Sequence, residues 1–385
     1  MELSYTFLQN YWWILISTLG AFLVFLMFVQ GGGAMIFSLG KTEEQRGLII
    51  NSAGRKWEFT FTTLVVFGGA FFASFPLFYS TSFGGAYWVW MLILLMFVLQ
   101  AVSYEFQHRA TNPATQRLFR IFLVANGWLA PFLIGAAVST FFTGSAFHID
   151  KGAMGSIDAL GASLQISVWD SPLHGLEALG DWRNWAFGLM LVALSQTSAL
   201  LYMLNNIKDE ELNTRIVKRL RITAPVFVVL FLVTAGSILL GEGFGVMEDG
   251  TVQMVDMKYL MNLVEMPVVL IMLLLGVVLV LMGAIMGMVK GRRCSVWPYG
   301  IGVIVVVMAL FFIAGFNNTA YYPSYTDLSS SLTLTNSCSS PFTLKVMFYV
   351  SLILPIVIAY MFYAWRQIDK KPITQEELSA TDGKY

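Results

Sequence analysis

Long apolar stretches alternate with short polar segments along the whole chain. Nine of them lie near 11–35, 59–80, 85–104, 118–143, 185–206, 223–241, 266–289, 296–316 and 342–365. A helix needs about 20 apolar residues to cross the roughly 30 Å hydrocarbon core of a bilayer, at about 1.5 Å per residue. Each stretch is close to that length or longer. Backbone groups in lipid must be satisfied within their own segment, which makes these stretches helices. The pattern predicts an all-α integral membrane protein with nine transmembrane helices, built as one polytopic domain over 1–385.

The polar segments are uneven. The longest, about 144–184, carries Trp169, Pro172, Trp182 and scattered acids and reads as an amphipathic cap. Segment 317–341 is rich in Ser, Thr, Asn and Tyr, with Asp327 as its one charge, and 366–385 is a polar tail. Within the stretches, small residues recur at close-packing intervals: Gly283, Gly287 and Gly291; Gly127, Pro131 and Gly135; Gly69 and Ala73. Such spacing lets helix backbones approach one another.

Composition agrees with the pattern. Hydrophobic residues make up 57% and charged residues 12%, against about 25% charged in a soluble domain. Net charge is zero and gives no reason to expect a nucleic-acid partner. The distribution of charge says more. If the N-terminus is outside and the C-terminus inside, 19 of the 23 basic residues fall on inward segments, and only Lys151, Arg183, Lys258 and Lys345 fall outside. The bias holds at every crossing, which supports both the count and the orientation. No basic residue precedes the first stretch, so it is not expected to be a cleaved signal. Cys294 and Cys338 fall on opposite sides and cannot pair.

Candidate chemistry is sparse. His108, His148 and His174 all lie between the stretches, and no Asp, Glu, Lys or Arg lies deep within one. Haem iron normally takes His, Cys, Met or Tyr, and Met in an apolar span is chiefly a packing residue. There is no phosphate-binding glycine loop and no cysteine cluster. Ionisable residues sit at the rims: Glu58 opens the second stretch, Glu105 closes the third, and Glu265 begins the seventh. Glu58 and Glu105 fall on the same side and are candidate neighbours, with Gln100 five residues before Glu105. An acid at a helix N-terminus, like Glu58, is favoured by about 0.3–1 kcal/mol through the helix dipole alone. Glu105, at a helix end, needs another reason, such as Arg109 or solvent. A proton path or quinone contact is the functional alternative for both.

The chain resembles subunit II of the cytochrome bd-type quinol oxidases. The resemblance runs through Tyr11-Trp12-Trp13; Asn51-Ser52 followed by Trp57-Glu58; Gly68-Gly69-Ala70, Pro76, Tyr79, Phe83, Gly85 and Tyr87; Gly127, Pro131 and Gly135; and Tyr322-Pro323 with Ser331-Leu332-Thr333 and Ser339-Ser340. It implies two four-helix bundles plus one peripheral helix in the bacterial cytoplasmic membrane. It also implies a haem-bearing subunit I as partner, with two b-type haems and one d-type haem, quinol as reductant, and a proton gradient formed as oxygen is reduced to water. Subunit II of this family binds no haem or metal. A bound quinone or lipid and a small single-helix subunit are further expectations. Secondary transport and a purely structural scaffold are the readings from other classes. A transporter would show broken helices with polar partners at mid-membrane, and Pro76, Pro131 and Pro355 have no charged companions.

The sequence departs from the family pattern in one place. Acids usual in the first span are replaced by apolar residues, Leu26 and Val29, and a base usual near the end of the third is Gln100. Losing both signs together is coherent, since either alone would sit unpaired in low dielectric. Trp57, Glu58, Gln100 and Glu105 remain as the candidates for a proton path or quinone contact.

Overall fold

In a computed structural model, which describes residues 3–153, 166–370 and 373–374, the apolar stretches form helices. Among the described residues eight are long and apolar enough to cross a membrane; Pro341–Ser351 and Leu354–Ile368, bent by 42°, give a ninth when taken as one span. The first span is Tyr5–Leu26, continued past Met27 by Phe28–Ala34. The second is Trp57–Ser74, preceded by the helix Glu43–Gly54. The third to fifth are Tyr87–Phe106, Pro113–Thr143 and Trp182–Asn206. The sixth to eighth are Glu210–Leu239, Pro267–Lys290 and Val296–Gly315.

Local chemistry fixes the ends. Ser4, Asn112, Asp181, Asp209 and Ser340 each accept a backbone N–H from the first turn of the helix they cap, satisfying donors that a helix start leaves open. Asp209, with Glu210 and Glu211 behind it, starts the sixth helix more than three turns before its apolar stretch. The second helix stops at Ser74, short of the expected 80. Pro76 disfavours helical geometry in the residue before it, and Phe75 leaves the helix at φ −131° and ψ 67°. A short turn and a π-helix, Tyr79–Gly85, follow.

The two faces differ. At one, the basic linkers meet: Arg120 pairs with Glu43, Gln45 donates to Glu211 at 3.1 Å, and Ser52 donates to Asn206 at 2.9 Å. At the other, the helical rule gives way to two small antiparallel pairs, Phe147–Ile149 with Ser167–Trp169 and Glu242–Val246 with Val252–Asp256. The first pair lies in the expected cap. It buries Trp169, whose indole donates to the Thr81 carbonyl at 2.8 Å. Residues 154–165 of the cap, and Lys371 and Lys384 of the tail, lie outside the described residues. The tail is not wholly peripheral: Ile373 is buried and its N–H donates to the Asn206 carbonyl at 2.8 Å.

Sequential spans pack as neighbours up to the eighth, the ninth packs on the first and second, and the first, fourth, fifth and eighth meet at the centre. Small residues account for the closest approaches. A Cβ on Gly127 would lie 2.4 Å from the Ala34 nitrogen, and one on Gly135 2.8 Å from the Gly188 Cα. Gly283 and Gly287 likewise abut neighbouring spans. Gly69 does not follow the rule: nothing lies within 4 Å of its Cβ position, and it is exposed.

Candidate functional site

The four residues singled out by the sequence separate into an inward and an outward pair. Trp57 begins the second helix and Gln100 faces the interior of the third; their exposures are 9% and 1%. Glu58 and Glu105 are both exposed, and among the described residues neither has an ion-pair or hydrogen-bond partner. They are therefore not joined as neighbours. The residues just before them meet instead: the Trp57 and Tyr104 rings stack with centroids 6.4 Å apart. Successive helix positions differ by about 100° in direction, so burying Trp57 and Tyr104 turns the two acids outward. The Arg109 guanidinium lies over Phe106, not at Glu105.

Gln100 has a partner that sequence reasoning missed. The Gln30 amide donates to the Gln100 amide oxygen at 2.6 Å, and Gln30 is 1% exposed. The local cause is the run Gly31-Gly32-Gly33 in the continuation of the first span. A Cβ on Gly31 would sit 2.0 Å from the Ser195 carbonyl oxygen, and one on Gly33 2.9 Å from that of Leu123. Only glycine lets this segment press onto the fourth and fifth spans, and that contact buries Gln30. The signal was a single amide in an apolar stretch directly before three glycines.

This corner holds polar atoms without protein partners. Gln30 Oε1, Gln100 Nε2 and Trp57 Nε1 are buried and unbonded, as is Gln196 Nε2 on the fifth span. Asn126, by contrast, is satisfied, donating to the Met96 carbonyl at 3.0 Å. More than nine in ten buried backbone polar groups, and most buried side-chain ones, have a partner. A cluster that combines free donors with a free acceptor is suited to water or to a polar head carrying both.

Beside it lies a second cluster that the sequence did not announce. Lys56 is the one charged side chain among the described residues that is buried. Its ammonium is 3.1 Å from Asp369 Oδ1 and 4.3 Å from the Trp365 ring centroid. The Tyr202 hydroxyl donates to Asp369 at 3.1 Å, and Tyr202 stacks on Phe28 at 4.1 Å. A carboxylate, a hydroxyl and an aromatic face together offset the desolvation of the lysine. The cluster fastens the end of the ninth span to the first, second and fifth.

Deeper, a cavity of about 60 Å³ opens between the spans, lined by residues such as Gly20, Phe67, Trp90, Phe141, Met190 and Phe311. Its lining has no His, Cys, Asp or Glu. Met190 is the one lining residue of a type that can ligate haem iron, and Met in an apolar span is chiefly a packing residue. Elsewhere among the described residues no group of three His, Cys, Asp or Glu could hold a metal ion. His148 is bonded to Asp170 at 2.6 Å and His174 to the Gly85 carbonyl at 3.1 Å, both outside the spans.

Comparison with known proteins places this geometry. The family model described as cytochrome bd terminal oxidase subunit II matches residues 8–368. The cytochrome bd-I ubiquinol oxidase subunit 2 of Escherichia coli K12 is 23% identical, with 98% of each chain covered. A probable cytochrome oxidase subunit 2 of Haemophilus influenzae is 30% identical over 150 residues, 39% of this chain and 40% of that protein. Among solved structures, the bd oxidase from Geobacillus thermodenitrificans matches with a TM-score of 0.57 at 11% identity, covering 94% of this chain and 99% of the other.

Proposed function

This chain belongs to the cytochrome bd terminal oxidase subunit II family, and from that premise we propose that it is the haem-free half of a quinol:oxygen oxidoreductase, paired with a subunit I. Two b-type haems and one d-type haem, held by subunit I, would supply the transfer of quinol electrons to oxygen. The residues of this chain have other work. Its central spans exclude water and lipid from the partner's flank, and its apolar cavity suits an isoprenoid or acyl segment of a quinone or lipid.

The polar corner is the second part of the proposal. Gln30 and Gln100, with Trp57, hold water or touch a quinone head. Amides do not ionise in the physiological range, so any proton passing this corner moves through the water they bind. Glu58 and Glu105 stand at its rim, where exposed carboxylates exchange protons with the surroundings. Quinol protons are released outside and the protons for water come from inside, which builds a gradient.

The basic face is taken as cytoplasmic, with the N-terminus outside and the C-terminus inside, in the bacterial cytoplasmic membrane; the bias of Lys and Arg supports this. The first four spans and the next four form two bundles, with the ninth peripheral. Subunit I and a small single-helix subunit would dock on exposed flanks such as the one bearing Gly69.

The observation that carries the reading is the family match over nearly the whole chain. The test is expression with and without a candidate subunit I. The expected result is a colourless chain alone and a co-purified complex with red-shifted d-type absorbance. Haem bound by this chain alone would refute the haem-free role, and failure to co-purify with any haem protein would refute the oxidase reading.

A further inference from the structure

Most bases described so far at the basic face have a carboxylate. Arg46 and Arg120 share Glu43, Lys56 has Asp369, and Arg215 has Glu211. Lys218, Arg219, Arg221, Arg292 and Arg293 have none among the described residues. The sequence offers little to neutralise them locally: no Asp or Glu occurs between Glu211 and Glu242, or between Glu265 and Asp327.

The fold gathers these bases. The seventh helix ends at Gly291, whose φ of +54° is a backbone conformation that favours glycine. Its N–H bonds the Gly287 carbonyl and the N–H of Arg292 bonds that of Met286. The turn lays Gly291 beside Val217 of the sixth helix, 3.6 Å from the glycine's Cβ position. Arg221 Nε donates to the Met288 carbonyl at 3.1 Å. Arg221, Arg292 and Arg293 are exposed around this junction. On the half of each helix next to this junction, the same two helices present an apolar wall to the surroundings, with Val226 at 48%, Val229 at 60% and Ile285 at 52% exposure.

We propose that this junction binds the phosphate headgroup of an anionic phospholipid, whose acyl chains lie along the exposed faces of the sixth and seventh spans. Guanidinium forks match phosphate oxygens in charge and geometry. A free phosphate would answer the charge but leave the wall uncovered; an uncharged lipid would do the reverse. An anionic lipid answers both.

The test uses the chain purified with its partner, stripped of lipid by detergent. Phosphatidylglycerol, phosphatidylcholine and inorganic phosphate are then added separately, with retained lipid read by native mass spectrometry and stability by thermal midpoint. Phosphatidylglycerol is expected to be retained and to raise the midpoint, less so at high salt. The exposed-residue variant R292Q/R293Q should still fold and bind more weakly, by about fivefold per charge removed; adding R221Q should weaken it further. Equal retention by variant and wild type, equal effects of phosphatidylcholine, or a full effect of phosphate alone would overturn the proposal. So would lipid binding that appears only after removal of residues 375–385, since their acids would then be the occupant.

Discussion

The fifth and seventh spans are of similar length and opposite in character. The fifth carries Ser195-Gln196-Thr197-Ser198 in one turn, while the seventh has no polar side chain from Pro267 to Met288. In a water-soluble protein the more apolar helix would lie inside. Here 94% of the membrane-crossing stretch of the fifth is buried, against 28% for the seventh. Lipid is as apolar as leucine, so hydrophobicity does not drive a helix inward; polar groups and close backbone packing do. The fifth span is central because its polar side chains bond across to neighbouring helices, as Asn184 accepts from Thr143 and Asn206 from Ser52, both at 2.9 Å, and because Gly31 fits against it.

This contrast can be broken at several points. The largest effect is expected for Gly31→Leu, which drives a side chain into the Ser195 carbonyl. Overpacking typically costs about 1–3 kcal/mol, more where backbone must move, so the complex should fail to assemble, read as loss of co-purified haem partner. Val278→Leu, on the exposed seventh span, should change nothing; equal damage at both sites would refute the inside–outside distinction.

Next is Lys56→Met. Stranding one member of a buried ion pair costs about 3–5 kcal/mol, so thermal stability should fall sharply. Lys56→Met with Asp369→Leu should recover most of it. If the double variant is as unstable as the single, the pair is not what fastens the ninth span.

Gln100→Leu should be milder, about 1–3 kcal/mol, because it leaves Gln30 unsatisfied. Gln30→Leu with Gln100→Leu should restore stability while turnover stays low. Full turnover in the stable double variant would remove the amides from the working site. Smallest is Glu58→Gln: stability should move by less than about 0.5 kcal/mol, with slower oxygen reduction and haem content unchanged. Turnover equal to wild type between about pH 6 and 9 would remove Glu58 from any proton path.

Which parts were legible follows from the same physics. Lipid forces long apolar runs, so the spans could be read from periodicity and length, and Gly127 and Gly135 could be read as contacts from spacing. Spacing does not give direction, and Gly69 faces outward with nothing against it. The family resemblance drew notice to Leu26, Val29 and Gln100, yet the residue that pairs with Gln100 is Gln30, one position beyond Val29. Its partner lies 70 positions away, a distance no local pattern reports. Trp57 was found through the family block Trp57-Glu58, and Gln100 as an amide in an apolar stretch; Glu58 and Glu105 attracted notice by their charge, and the burial of their neighbours Trp57 and Tyr104 turns them outward.

The Lys56 cluster bears on how the protein is made. Lys56 and Trp365 are 309 positions apart, so during synthesis the lysine waits through almost the entire chain before its aromatic shelf and carboxylate emerge. Until then Lys56 lacks both the Asp369 carboxylate and the Trp365 ring that meet it in the complete fold. A chain cut short at or before Ile368 can carry the crossings and still leave the cluster open, a state quality-control proteases could distinguish from one that reaches Asp369. The last turn of the ninth span thus serves as a receipt of completion, written in charge.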